Sequence, residues 1–448
     1  MKCLLSPNHI NFFNFFLLAT ILIGAQIDCR QSKEIHYDGF KLLRLYTKTL
    51  DQLEFLQSLS NEKNQLASMI GSGIDFWSEP KSLNSSIDLM VSPLQEKDLR
   101  KALDERQIQT ETLMDDVGRV IDMQRSDEET SLFYSRVPND TVFFQRYQPL
   151  SNIYQFLEDL VRANPDICAF ETIGRSTEGR ALRIVKIGYP GYAKPAIWID
   201  AGIHAREWIA PATATFIINR LIRTKYSDET AELLKEFDFY ILPSANPDGY
   251  EHSRLFDRFW RKTRSRNSNS ILGLFCIGVD PNRNYGFQWK MAGSSSNPCS
   301  QTYHGPYPFS EPETKSISDF VYKNRHRVKL FVTLHSYSQL ILTPWGWTHE
   351  LPKAYPDLMR VAEIGATTLR MKYGTDYRYG SSPSILYSAA GGADDWAHGA
   401  AGIKYAYTFE LRDKGTYGFL LPSRFIIPTG EETYDALVAM IHEIKKEC

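Results

Sequence analysis

A histidine and a glutamate stand three residues apart in Trp198-Ile199-Asp200-Ala201-Gly202-Ile203-His204-Ala205-Arg206-Glu207-Trp208, directly after an apolar run. A second histidine closes another apolar run in Thr333-Leu334-His335-Ser336-Tyr337. Two imidazoles and one carboxylate suit zinc and leave a fourth tetrahedral position for water, which marks a catalytic rather than a structural metal site. An isolated His-x-x-Glu is a weak signal, since most such pairs decorate helix surfaces. His335 at a second strand end gives the pattern its weight. Asp280, in Gly278-Val279-Asp280-Pro281-Asn282-Arg283-Asn284, is placed either to hold the far nitrogen of a ligating histidine or to cap its own turn. Glu410 lies near the end of the apolar run Tyr405–Leu411. A carboxylate there can take a proton from water and pass it to a leaving amine, or it can pair with Arg412.

Such residues need a rigid frame. Apolar runs at Leu182–Ile187, Ala196–Ala201, Phe237–Leu242, Leu330–Leu334 and Tyr405–Leu411 predict buried strands. They alternate with helix-period segments at Asn152–Ala163, Ile209–Ile222, Pro312–Lys323, Pro356–Tyr373 and Glu431–Lys446. The pattern predicts an α/β fold with a mixed, mostly parallel sheet flanked by helices, whose carboxyl edge collects the site. Loops from Arg261 to Gly305 and from Ser336 to Trp347 are long and rich in Gly, Pro and aromatics, and such loops on a rigid sheet are where sites usually lie. Ahead of this domain, strands at Phe40–Tyr46, Ile74–Trp77, Ile87–Val91 and Ile108–Leu113, with helices at Leu50–Leu59 and Leu94–Leu103, follow the ferredoxin-like antiparallel α+β order. A charged helix and an acidic polar link, Ser126-Asp127-Glu128-Glu129-Thr130, predict a domain boundary between 115 and 139. Arg125 and Arg136 are sites where a trypsin-like protease could cut an exposed linker.

The chain has 448 residues, 43% of them hydrophobic and 23% charged, so it can hold more than one domain. Its net charge of -2, from 51 Lys+Arg against 53 Asp+Glu, argues against a nucleic-acid partner. Residues 1–25 read as a signal peptide: Lys2, an apolar stretch from Phe12 to Ala25 broken by Asn14 and Thr20, and small residues at Gly24 and Ala25. That stretch spans roughly 21 Å as a helix, short of the roughly 30 Å hydrocarbon core, so a secreted chain without a membrane anchor is expected. Asn84 and Asn139 head glycosylation sequons that fit this route. Six cysteines are too few for a disulfide-built scaffold.

The motifs His204-Ala205-Arg206-Glu207-Trp208, Asp280-Pro281-Asn282-Arg283-Asn284, His335-Ser336-Tyr337-Ser338 and Thr408-Phe409-Glu410-Leu411-Arg412-Asp413 occur in an order that a known family shares. From about Phe40 to its end the chain resembles a secreted zinc metallocarboxypeptidase precursor of the pancreatic carboxypeptidase A/B type. The resemblance implies that His204, Glu207 and His335 ligate one zinc ion per chain, as the His₂Glu site of carboxypeptidase A does. It assigns Glu410 as general base and Arg261 as the cation beside the oxyanion. It assigns Asn282, Arg283 and Tyr387 to the terminal carboxylate of a peptide or protein substrate, with Arg206 and Tyr337 along the approach. A guanidinium grips a carboxylate bidentately, which lysine cannot reproduce.

The same resemblance places Asp394, the first acid of Gly391-Gly392-Ala393-Asp394-Asp395-Trp396, at the base of the pocket for the departing residue. A buried carboxylate favours Lys or Arg there and penalises an apolar side chain. Removal of C-terminal Lys and Arg is therefore expected, with Asp395 serving as the helix N-cap. The alternative is A-type or mixed specificity set by Ala393 and Leu386, and a more distant one is a catalytically silent secreted binding protein. By resemblance Cys276 and Cys299 form a disulfide, while the pairing of Cys29, Cys168 and Cys448 stays open. The expected division is a signal peptide (1–25), an activation segment (26–136, its folded domain at about 40–114) and a catalytic domain (137–448). A trypsin-like protease is expected to cut first after Arg136 and second after Arg125.

Overall fold

The computed structural model describes residues 34–59, 73–80, 83, 85–134, 140–266 and 276–447. The signal segment, Cys29, Asn84, Arg136, Asn139 and Cys448 lie outside the described residues.

The N-terminal unit folds as β1 (Lys41–Tyr46), α1 (Leu50–Leu59), β2 (Ile74–Phe76), β3 (Ser86–Val91), α2 (Pro93–Glu105) and β4 (Gln109–Met114). Its antiparallel sheet has the order β2-β3-β1-β4, the ferredoxin-like arrangement. Leu43, Leu45, Ile87, Leu89 and Val91 point to one face and pack under Leu56, Leu99 and Leu103 of the helices. α3 (Val117–Tyr134) follows as one helix. The expected acidic link therefore belongs to a helix, because Ser-Asp-Glu-Glu-Thr contains no glycine or proline to stop it.

The second unit runs α4 (Leu150–Ala163), β5 (Cys168–Arg175), β6 (Ala181–Ile187), β7 (Ala196–Ala201), α5 (Ile209–Arg223), α6 (Asp228–Glu236), β8 (Asp238–Leu242) and α7 (Pro247–Leu255). It continues through α8 (Pro312–Asn324), β9 (Val328–Ser336), β10 (Leu340–Thr343), α9 (Tyr355–Tyr373), β11 (Arg378–Ser381), α10 (Ala393–Gly399), β12 (Tyr405–Leu411) and α11 (Ile426–Lys445). The sheet order is β11-β10-β12-β9-β7-β8-β6-β5. Its centre, β12-β9-β7-β8, is parallel, with antiparallel pairing from β8 outward to β5 and between β10 and β12. All residues of β7 and β8 are buried, as strands covered on both faces must be. One face packs on α4, α5, α9 and α11, and the other on α8 and α10.

Candidate active site

The parallel strands β7, β9 and β12 end side by side, and the chemistry-bearing residues leave their carboxyl ends. β7 ends at Ala201, and the turn through Gly202 (φ +69°) leads to His204 and Glu207 before α5 starts at Ile209. His335 stands on β9 opposite Glu410 of β12, so one register fixes both. Gly202 has a steric reason to be glycine: a Cβ there would lie 2.6 Å from Pro211.

His204, Glu207 and His335 converge, their ligand atoms all within 4.8 Å of one another. His204 Nδ1 is 2.8 Å from Glu207 Oε1 and 3.1 Å from His335 Nδ1, and His335 Nδ1 is 3.1 Å from Glu207 Oε2. Two imidazole nitrogens facing each other at this distance beside a carboxylate form the borderline donor set that zinc prefers. His204 Nε2 lies 3.0 Å from Asp280 Oδ1, which orients the ring so that Nδ1 faces the other donors. Asp280 does both things foreseen for it, since Oδ1 also accepts from the backbone N–H of Asn282 at 3.0 Å. Burial works to raise the Asp280 carboxyl, but Arg261, His204 and Arg283 outweigh it and hold the group well below the usual range.

Arg261 donates from Nη2 to Asp280 Oδ2 at 2.9 Å, and its Nη1 lies 3.2 Å from His204 Nδ1. The guanidinium is thus clamped beside the metal donors. Glu410 is half-buried on the cavity wall, and desolvation there pushes its carboxyl up to about 8 despite nearby His335. One cavity holds His204, Glu207, Arg261, Asn282, Arg283, His335, Tyr337, Tyr387, Asp394 and Glu410 on its walls. Arg283 is anchored by Nε to the Gly293 carbonyl at 2.8 Å and by Nη1 to the Asn282 carbonyl at 2.9 Å. Asn282 Oδ1 accepts from the Ala393 N–H at 3.0 Å, which leaves its amide nitrogen as the end available to a ligand. Cys276 and Cys299 are joined in a disulfide that closes the loop carrying these groups, and Cys168 is buried with its thiol pushed up to about 12 by burial.

Two acids that are adjacent in sequence go to different places. Asp394 lines the cavity, and burial raises its carboxyl. Asp395 turns away and accepts from the backbone N–H groups of Gly346, at 2.8 Å, and Trp347, at 3.1 Å. The expectation that Asp395 caps α10 is corrected: Gly392 occupies that position, and the Asp395 carboxylate instead ties α10 to the 346–347 backbone. Ala393 is also corrected, because it packs in the core against Trp396 and Ile403 rather than facing the cavity. Sequence reasoning missed Leu342, Gly346, Ser382 and Thr408, which complete the cavity wall beside Leu386. Thr408 was within reach of it, since strand alternation puts residue 408 on the face of Glu410.

The N-terminal unit covers this cavity, and Trp77 and Ser78 form part of its lining. Arg206, expected along the substrate approach, is buried, with Nη1 3.4 Å from Asp75 Oδ2 and its guanidinium 4.2 Å over the Phe419 ring. The Tyr337 hydroxyl donates to Asp88 Oδ2 at 2.7 Å. Arg125 lies within α3, paired with Glu34, rather than on an exposed linker.

Residues 153–436 match the family model described as zinc carboxypeptidase. The chain belongs to the zinc carboxypeptidase family. Residues 43–124 match the model for the carboxypeptidase activation peptide, so this carboxypeptidase is a zymogen whose covering unit is its activation domain. Carboxypeptidase A2 of Mus musculus is 40% identical over 410 residues, covering 91% of this chain and 94% of that protein. Carboxypeptidase B of Astacus astacus is 46% identical over 299 residues, covering 67% and 97%. A crystal structure of thrombin activatable fibrinolysis inhibitor matches with a TM-score of 0.80 at 32% identity, covering 90% of this chain and 98% of that one. A-type and B-type names both occur among these relatives. They fix the reaction class and leave substrate preference to the pocket.

Proposed function

We propose that this zymogen, once processed, removes C-terminal Lys and Arg from peptides, with Asp394 as the specificity charge. The observation that carries the reading is the position of the Asp394 carboxylate on the cavity wall, with Thr408 beside it and Asp395 withdrawn onto backbone amides. A cationic side chain gives that buried charge a partner, whereas an apolar one leaves it unpaired. The crayfish relative named carboxypeptidase B, at 46% identity, agrees with this choice.

His204, Glu207 and His335 would hold the zinc, which when bound would supply Lewis acidity toward the scissile carbonyl and the attacking water. The remaining work belongs to side chains. Asn282, Arg283 and Tyr387 bind the terminal carboxylate, which restricts cutting to chain ends. Arg206 and Tyr337 guide the preceding residues. Glu410, opposite His335 on the cavity wall, takes a proton from water and delivers it to the leaving amine. Arg261, fixed by Asp280, stabilises the oxyanion, a contribution of about 3 kcal/mol for a single well-placed donor. Asp280 positions both His204 and Arg261.

We further read residues 1–25 as a secretion signal and a trypsin-like enzyme as the activator, cutting after Arg136 first. The place of Arg125 inside α3 supports that order, because a protease binds an extended chain. The test is hydrolysis of matched acyl dipeptides ending in Arg, Lys, Leu and Phe, before and after limited trypsin, with and without a chelator. Trypsin-dependent, chelator-sensitive release of Arg and Lys well above Leu and Phe is expected. A preference for Leu or Phe would sink the assignment to Asp394 and keep the metal chemistry.

A further inference from the structure

The zinc site occupies the carboxyl ends of β7, β9 and β12. At the opposite pole, the amino ends of β9 and β12 begin at Val328 and Tyr405. The chain enters β9 there through Tyr322-Lys323-Asn324-Arg325-His326-Arg327-Val328-Lys329, a run of four Lys or Arg and one His that peptide hydrolysis does not use. An open cleft lies against it, lined by Arg325, His326 and Lys329 on one side and by Gly402, Lys404 and Glu447 on the other.

Some of these cations are already neutralised. Lys404 Nζ is 2.7 Å from Asp357 Oδ2 and 2.7 Å from Glu447 Oε2. Arg327 turns to Asp238 and to the Lys194 carbonyl. Arg325, His326 and Lys329 differ, for none of them has an acidic partner among the described residues. Arg325 is set in place by its own neighbour: Nη1 donates to the Tyr322 carbonyl at 2.7 Å, and the guanidinium stacks 4.0 Å over the Tyr322 ring. Gly402 keeps the far wall low, since a Cβ there would meet nothing within 4 Å. A chain with a net charge of -2 thus concentrates uncompensated positive charge along one open groove. Basic runs of this length are an electrostatic footprint for polyanions.

We propose that this cleft binds a linear sulfated polysaccharide, its sulfates on Arg325, His326 and Lys329. The opposite wall offers Glu447 and Lys404 to sugar hydroxyls. A single-stranded nucleic acid would need an aromatic platform for its bases. Tyr322 stays 47% exposed but lies outside the cleft lining, with Arg325 over one face of its ring, and Tyr405 is buried at 3% exposure. Since the cleft and the zinc site lie at opposite ends of the same strands, a bound polysaccharide leaves the active site open and tethers the enzyme where such chains are abundant.

The experiment measures binding of the full-length protein to immobilised heparin across a salt series. The wild type is compared with Arg325→Ala/Lys329→Ala and with a charge-matched control, Lys97→Ala/Lys353→Ala. The double variant at the cleft should bind about 10- to 100-fold more weakly, and its slope of log affinity against log salt should fall by about 2, one for each cation removed. The control should bind as the wild type does, and trypsin-activated enzyme should hydrolyse a small dipeptide at the same rate with heparin bound. Equal loss in both variants, or no retention of the wild type at physiological salt, overturns the proposal. So does inhibition of dipeptide hydrolysis by heparin, which would put the polyanion at the active site. Displacement by single-stranded DNA at the same charge concentration as heparin would overturn it in favour of a nucleic-acid surface.

Discussion

Asp394 and Asp395 show how far a residue's type alone decides its role. Both are acids in a buried stretch, yet the two backbone N–H groups of residues 346 and 347 claim Asp395 and leave Asp394 to the cavity. On the proposed reading a cationic side chain entering the pocket compensates the Asp394 carboxylate. Replacing it removes that pairing, so Asp394→Ala should lower kcat/KM for a C-terminal Arg substrate by about 10²-fold or more, the loss expected when a buried ion pair is broken at about 3 kcal/mol. The same variant should improve relative turnover of Leu and Phe substrates. Paired steady-state assays on activated enzyme measure the ratio, and an unchanged Arg-to-Leu ratio would count against the pocket assignment. Asp280 allows a second test at this scale. Its two oxygens hold His204 and Arg261, so Asp280→Asn keeps the shape and weakens both holds. Zinc retention should fall by about 10- to 100-fold in a chelator competition, with kcat falling further than metal occupancy alone explains. His204, Glu207, His335 and Glu410, which the structure gathers at one cavity, were legible in the sequence because each sits in a motif next to a strand end, and Asn282 and Arg283 because they fall in the Asp280–Asn284 motif. Leu342, Ser382 and Gly346 were not, since nothing local separates a residue lining a pocket from a neighbour that packs in the core.

Elements were legible where burial is two-sided. β7 and β12 match their expected bounds because continuous apolar runs admit no other placement. β5 and the short pair β10 and β11 were not foreseen, because β5 is a largely solvated edge strand and the other two run four residues each, too short to show a period. Among the elements of the activation domain, β2 carries the contact with most chemical consequence. Asp75 on β2 approaches Arg206, while Asp257 and Glu79 oppose its charge and Arg261 favours it. Burial dominates and pushes its carboxyl up to about 6 from 3.8. The docked form then holds its proton more tightly than the unfolded chain does. The stabilising contribution is complete below about pH 4 and is lost as the pH rises through about 6, a change of at most about 3 kcal/mol. Denaturant unfolding of wild type and Asp75→Asn between pH 4 and 7 measures it. The variant should gain on the wild type as the pH rises, and the opposite trend would mean that the pair with Arg206 outweighs burial.

On the scale of the whole molecule, latency comes from an interface built around one indole. Trp77 packs at ring distances of 4.9 Å from Phe259 and 5.2 Å from Phe419, within a cluster that also takes Tyr37, Phe40 and Leu420. The enzyme side is shaped to receive it: Gly418 sits at φ +54°, and a Cβ there would come within 2.9 Å of the Trp77 ring. Around this apolar centre, Asp88 takes the Tyr337 hydroxyl and Arg44 donates to the Lys414 carbonyl at 3.0 Å. Hydrogen bonds of this kind contribute about 1 kcal/mol each, whereas truncating a buried tryptophan to alanine costs about 3 to 5 kcal/mol. The indole is therefore the dominant lock. Trp77→Ala should raise the open fraction of the intact zymogen by about 10²-fold, at 1.4 kcal/mol for each factor of ten. Dipeptide hydrolysis by the uncleaved variant should rise accordingly above that of uncleaved wild type. Trypsin treatment supplies the internal control, since cleavage detaches residue 77 and should bring both proteins to the same kcat/KM. A variant that remains as silent as wild type before cleavage, yet reaches full activity after it, would shift the lock from the aromatic cluster to the polar contacts around Asp75 and Asp88.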